Sequence, residues 1–271
     1  LTSQLIPVTL FLLFDYLCTM NQKQTKRWFL YLSYNGTAYH GWQTQPNGIS
    51  VQEVLERSME TLLRERVPVT GAGRTDSGVH ARLMVAHFDT PGELPVGFIQ
   101  RLNSILPKDI AVHQVRAVVP DAHARFDATA RFYEYHVHTG KNVFAENQSV
   151  RLVHTPDFEK MNQAAAVLME YADFTSFSKL HTDAKTNICK LITARWEPSD
   201  TGWVFTIGAD RFLRNMVRSV VGTLLEVGYE RMTFDELRRV VEALDRCKAG
   251  VSMPAHGLYL TGVEYPENIF L

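Results

Sequence analysis

The chain has 271 residues, 45% of them hydrophobic, enough to bury the core of one large domain or two ordinary ones and too apolar for a disordered or fibrous chain. Its 28 Lys and Arg against 29 Asp and Glu give a formal net charge of −1, which excludes a strongly basic protein, so any nucleic-acid binding must rest on a local positive groove. Cys18, Cys189 and Cys247 lie far apart and lack CxxC spacing, so neither a disulfide framework nor a zinc site is indicated, and a reducing, cytoplasmic compartment fits.

Residues 5–17 are strongly apolar, but no basic stretch precedes them and Pro7 and Asp15 interrupt them. The run is also shorter than the roughly 20 apolar residues that span a bilayer, so no membrane anchor is predicted. A strand is predicted over 28–34, ended by the turn pair Asn35-Gly36. From 51 to 66, Val51, Val54, Leu55, Met59, Leu62 and Leu63 fall at helical spacing, with Ser50 as N-cap and Glu53 completing a capping box. Short strands are predicted at 67–70 and 83–88, and the polar, glycine-rich residues 71–81 form a loop between them. A helix at 96–106 is stopped by Pro107, and a strand follows at 110–119.

The pattern then restarts. An aromatic, alternating strand is predicted at 131–138, a helix at 158–169, strands at 186–196 and 203–209, helices at 212–227 and 234–244, and a last strand at Leu258–Glu264. This order predicts an α+β fold of two lobes, each a mixed or antiparallel sheet with helices on one face. The boundary falls in 120–129, giving residues 20–122 and 123–271 as the two domains.

Chemistry is concentrated in Gly71-Ala72-Gly73-Arg74-Thr75-Asp76-Ser77-Gly78-Val79-His80-Ala81. Glycines allow close backbone approach, so such a loop can aim one side chain into a cleft. No Lys-Ser/Thr pair follows, which argues against a phosphate-cradling loop of the P-loop type. On its own, an aspartate in a glycine-rich loop is usually a turn residue bonding nearby amides. By the same standard Tyr133 on an alternating strand and Leu258 are core residues, and Arg218 belongs to the solvated face of its helix.

The run Gly73-Arg74-Thr75-Asp76-Ser77-Gly78-Val79-His80 resembles the signature loop of TruA-type tRNA pseudouridine synthases. The likeness extends to Gly41-Trp42-Gln43 with Gln45, Val51-Gln52, Asn103 with Leu106-Pro107, Ala124-Arg125-Phe126, and Ala128-Thr129-Ala130-Arg131 with Tyr133 and Tyr135. It also takes in Phe212-Leu213-Arg214-Asn215-Met216-Val217-Arg218, Gly222-Thr223-Leu224 and Gly257-Leu258-Tyr259-Leu260. The resemblance implies a pseudouridine synthase fold with an active-site cleft between its lobes. It implies isomerisation of uridine at positions 38, 39 and 40 of the tRNA anticodon arm, with no cofactor or metal, in a homodimer whose RNA crosses both subunits.

Carried over by position, Asp76 matches the essential aspartate, Tyr133 the active-site tyrosine, Arg218 the arginine that pairs with the aspartate, and Leu258 an apolar residue against the base. A carboxylate nucleophile divides the reaction into easier steps by attacking C1′ or C6. An arginine fork is expected to orient it bidentately, and Tyr133 to stack on the base and assist removal of the C5 proton. Arg74 is expected to brace the loop or meet the RNA, and His80 to be structural or to support a reacting group from behind rather than to act as acid or base. Arg125, Arg131, Arg211, Arg214 and Arg218 are the candidates for a positive groove.

Three positions depart from the family pattern. Ser77 replaces a common alanine, Leu83-Met84 replaces a Gly-Gln pair, and Phe132 stands where a basic residue is frequent. Two rival functions are a catalytically silent RNA-binding protein and a small-molecule glycosidase. The latter normally needs two carboxylates flanking the bond, and the loop offers only Asp76.

Met20 opens the hydrophilic residues 21–26 just before the first strand, so residues 1–19 are expected to be an upstream extension ahead of the natural start. The intact mass of the protein expressed from its own locus tests this, and a mass that includes residues 1–19 would refute it.

Overall fold

The structure, a computed structural model, describes residues 25–179 and 186–271. The expected upstream extension lies outside them. Nine strands are described: β1 (Lys26–Tyr34), β2 (Thr70–Gly71), β3 (His80–Thr90), β4 (Ile110–Val118), β5 (Ala130–His138), β6 (Val150–Arg151), β7 (Leu191–Ser199), β8 (Gly202–Ala209) and β9 (Leu258–Glu264). Five helices accompany them: α1 (Val51–Leu63), α2 (Phe98–Ile105), α3 (Phe158–Leu168), α4 (Met216–Gly228) and α5 (Phe234–Glu242). The α+β character predicted from sequence holds.

The strands of both halves join one sheet in the order β4-β1-β3-β9-β5-β8-β7, where separate sheets were expected. The join is made by the last strand of the chain. β9 lies antiparallel to β5 and parallel to the start of β3 through His80↔Tyr259 and Ala81↔Leu260. β2 takes the rest of that β3 edge, pairing Thr70 with His87 and Gly71 with Ala86. The loop between β2 and β3 is thereby held at the line where the halves meet.

Two hydrophobic cores flank this line. Leu30 and Leu32 of β1 pack with Leu55 and Met59 of α1 and Leu102 of α2, while Phe29, on the opposite face of the strand, packs against Tyr265 and Phe270. Tyr135 of β5 and Phe205 of β8 pack with Met161 of α3, Val220 and Leu224 of α4, and Leu237 of α5. Tyr133 touches both cores. Phe132 faces Gly208 of β8 and Gly262 of β9, and its ring fills the space their absent side chains leave. That packing explains an aromatic where a basic residue is frequent.

Element ends differ from expectation for local reasons. α1 stops at Leu63 because Arg64 turns left-handed, with φ of 62°. Ser50 caps Glu53 N, but Glu53 pairs with Arg57 and does not complete the box. The reciprocal box forms at Thr233 and Glu236 of α5 instead. β7 begins at Leu191, five residues later than predicted. α4 begins at Met216 because Asn215 is left-handed, with φ of 67°, so Phe212 and Arg214 lie on a non-helical approach to it. The Phe212/Met216 spacing mimicked a helical turn because Phe212 packs edge-on against Tyr133, 5.1 Å between centroids.

His87 on β3 is buried and its Nδ1 accepts the Ala124 N–H at 3.1 Å. Burial pushes its pKa down to about 4, with the nearby charges of His123 and Arg27 acting in the same direction. Burial also lowers His80, His123, His138 and His256. A native pKa below the unfolded value means full stability above about pH 6.5 and progressive loss towards pH 4. His87 alone contributes about 2 kcal/mol of that loss by pH 4.5. Denaturant unfolding at pH 7 and 4.5 should show His87→Asn, which keeps an acceptor and does not titrate, losing about 2 kcal/mol less than wild type. Equal losses would refute the assignment.

Candidate active site

The loop from Ala72 to Val79 is fastened on one side to β3 and on the other to residues 34–42. Ala72 N–H donates to Val85 O at 2.7 Å, and the Tyr34 and Thr75 hydroxyls share a 2.9 Å hydrogen bond. Trp42 N–H reaches Thr75 O, and Gly78 N–H reaches Tyr39 O. Ser77 adds an Oγ–H bond to Tyr39 O at 3.2 Å, a contact alanine would lack. Gly41 has φ of 86°, and a Cβ there would lie 2.2 Å from Thr75 O, so no other residue allows this approach. Of the loop's own glycines only Gly78 takes a positive φ.

Inside this clasp the Asp76 carboxylate faces α4. Arg218 Nη1 donates to its Oδ2 at 3.1 Å, while Arg218 Nε donates to Met253 O at 2.6 Å. Arg214 Nε lies 3.7 Å from Oδ1. The bidentate fork expected from one arginine is therefore divided between Asp76 and a backbone carbonyl, and a second arginine approaches the other oxygen. Arg218 and Asp76 are each about a quarter exposed or less, whereas Arg214 is 57% exposed.

Arg218 is positioned by the strap 249–254. Met253 N–H returns a bond to Arg218 O at 3.1 Å, and Gly250 N–H donates to Thr223 Oγ1 at 2.9 Å. A Cβ on Gly222 would lie 1.9 Å from Val251 O, so the strap runs directly on the helix backbone. Asn215 Nδ2 bonds the hydroxyls of Ser219 and Ser252, and Arg246 Nη2 also donates to Ser252. Sequence reasoning assigned the strap no role. Its one local signal is the pair Gly222 and Gly250.

Tyr133 is half-buried on β5 between Leu260 of β9 and Ile207 of β8. Burial pushes its hydroxyl pKa up to about 12; the Arg131 cation opposes the rise and the Asp76 charge adds to it. The phenol keeps its proton at neutral pH. Leu258 is buried at the start of β9 opposite Tyr135. His80 is buried, with Nδ1 accepting from Gly36 N–H and Nε2 at 3.2 Å from His256 O, so both ring nitrogens are engaged by backbone and the proton sits on Nε2.

The arginines divide by environment. Arg74 and Arg125 are exposed. The Arg131 guanidinium is taken up by backbone: Nη1 donates to Ala128 O and Asp210 O, both at 2.9 Å, and Nη2 to Ala72 O at 3.2 Å and Arg125 O at 2.6 Å. It ties the loop that bears Asp76 to two other segments.

Comparison with known proteins fits this geometry. A family described as tRNA pseudouridine synthase matches residues 31–127 and 164–266. The chain belongs to that family. Asp76, Arg218 and Leu258 fall in the matched stretches, while Arg131 and Tyr133 lie between them. Similar proteins include tRNA pseudouridine synthase A of Bacteroides thetaiotaomicron, 59% identical over 90% of this chain and 93% of the relative. That of Bacteroides fragilis is 58% identical over 90% and 98%, and that of Exiguobacterium sibiricum 39% identical over 88% and 96%. Family membership makes the chain an enzyme of the isomerase class.

The divided fork of Arg218 is testable. Lysine has one point charge and cannot hold Met253 O and Asp76 together in a fixed plane. Arg218→Lys should fold normally by thermal denaturation and lower kcat about 10- to 100-fold, the loss expected for one charge-assisted hydrogen bond. Retention of wild-type kcat would show that charge alone suffices.

Proposed function

We propose that this protein isomerises uridine to pseudouridine at positions 38, 39 and 40 of the tRNA anticodon arm, with Asp76 as nucleophile. The observation that carries the reading is the Asp76 carboxylate, clasped in its loop and paired with Arg218 across the seam of the two halves. Its Oδ1 has only the more distant Arg214 as an ionic neighbour among the described residues, which leaves lone pairs to attack C1′ or C6.

The reaction breaks the C1′–N1 bond, turns the retained uracil, forms the C5–C1′ bond, and removes the C5 proton while N1 gains one. Electrons balance within the substrate, so no cofactor enters. Leu258 offers an apolar surface to the base. Tyr133 stacks on the base while carrying its proton. When Asp76 is consumed in a covalent bond its charge disappears, and with it one of the two influences that hold the Tyr133 pKa high. Ionising the phenol to solvent then costs less, and the phenolate so formed is the species that takes the C5 proton. A uridine within a stem must leave its stack to reach Asp76.

Arg74, Arg125 and Arg214 are the exposed cations we assign to the RNA strand, whereas Arg131 supports them from behind. Family resemblance supports a homodimer, and a tRNA substrate supports a cytoplasmic location. Among the described residues no helix is long and apolar enough to cross a membrane.

Tritium release from tRNA labelled at uridine C5 tests the proposal. Wild type should release tritium and Asp76→Ala should release none above background, while tRNA binding by the variant stays within about threefold of wild type. A folded wild type that binds tRNA and releases nothing would favour the silent RNA-binding protein.

A further inference from the structure

Phe126 has no packing explanation. It is 73% exposed, although the loop that carries it is closely hydrogen-bonded. Within 123–127, His123 N–H donates to Asp127 Oδ2 at 2.7 Å, and Asp127 N–H returns to His123 O at 3.0 Å. The amides of Arg125 and Phe126 both point at His123 Nδ1, Ala124 N–H is held by His87, and Ala124 O accepts from Tyr265. The Phe126 ring rests on the His123 ring, 4.2 Å between centroids, and His123 rests on buried His87 at 4.6 Å. The exposed ring is thus the tip of an aromatic pile rooted in the sheet. Arg125 lies alongside it, 5.7 Å from the ring centroid.

The position of this tip is set by Arg131. Its Nη2 holds Arg125 O and Ala72 O together, so Phe126 stands beside the loop that carries Asp76. The carbonyls that Arg131 gathers belong to segments bearing further arginines. Arg74 follows Ala72 by two residues, and Arg211 follows Asp210 by one. In a chain of net charge −1, one partly buried cation thereby ties together three segments that carry arginines, and one of these, Arg125, borders an exposed aromatic face. A flat apolar ring bordered by a cation suits a nucleobase on a phosphate chain. A second copy of this chain, with no net negative charge of consequence, matches that border less well.

We propose that Phe126 and Arg125 form a stacking platform for an unpaired base of the RNA strand flanking the target uridine. The platform deepens the reading of the chain as a tRNA-modifying enzyme and rests on it. The ring supplies stacking, Arg125 meets the adjoining phosphate, and the pile beneath keeps the ring in place before RNA arrives, so little ordering cost is incurred on binding.

The test compares Phe126→Ala and Phe126→Trp with wild type by tRNA binding, tritium release and light scattering, with thermal denaturation as the folding control. Phe126→Ala should raise the Kd and KM for tRNA about tenfold, with a smaller change in kcat and the same slope of log Kd against log salt, while Phe126→Trp stays within about threefold of wild type. An unchanged Kd in Phe126→Ala would overturn the platform. So would a shallower salt slope, which would mean that the ring only arranges the arginines, or a changed molecular mass, which would mean that it contacts a second copy. Binding judges the platform and tritium release judges the proposed function, so the two fail separately.

Discussion

The Asp76–Arg218 pair joins residues 142 positions apart in sequence, one on a loop of the first half and one on a helix of the second. A half-buried ion pair adds little net stability, because the cost of desolvating both charges offsets most of their attraction. Its value here is positional. The carboxylate is held at the seam only if loop, strap and helix all keep register. The site is therefore a readout of how the two halves are joined, and β9, which pairs with β3 on one side and β5 on the other, sets that join.

Backbone does much of the positioning. Thr75, on the loop, is held by Tyr34 and approached at van der Waals limit by Gly41. Arg218 is aimed by the Met253 carbonyl, and the strap carrying that carbonyl reaches α4 only because Gly222 has no side chain. These contacts fix a guanidinium and a carboxylate before substrate arrives, which is the form of preorganisation that electrostatic catalysis requires.

Much of this was legible in the sequence. Strand and helix periodicity located the main elements, and β9 was placed to the residue, because alternation and amphipathic spacing are local signals. The loop bearing Asp76 was found from composition and resemblance. What sequence did not carry was partnership at a distance. Nothing local to Arg131 says that its donors will be spent on four carbonyls, so it read as a phosphate contact. The helical spacing of Phe212 with Met216 concealed the left-handed turn at Asn215, and that turn is what puts Arg214 near Asp76. The joining of the two groups of strands into one sheet depends on β9, whose own seven residues say nothing about which edges they will meet.

A near-neutral protein that handles a polyanion must solve a charge problem, and the arrangement around Arg131 shows one physical solution. Dispersed arginines are screened within about 8 Å at physiological salt and do little individually. Arg131 satisfies its own desolvation with four carbonyls, a cost visible in its lowered pKa, for which burial is the main cause. In return the backbone of the segments that carry Arg74, Arg125 and Arg211 is tied together beside the loop that bears Asp76. The same guanidinium lies close enough to Tyr133 to oppose the rise in its pKa, so one cation serves both the electrostatics of the site and the architecture that holds its segments together. Replacing it with any residue that kept the charge but lost the planar fork would preserve the first service and lose the second, because only the fork binds the three segments together.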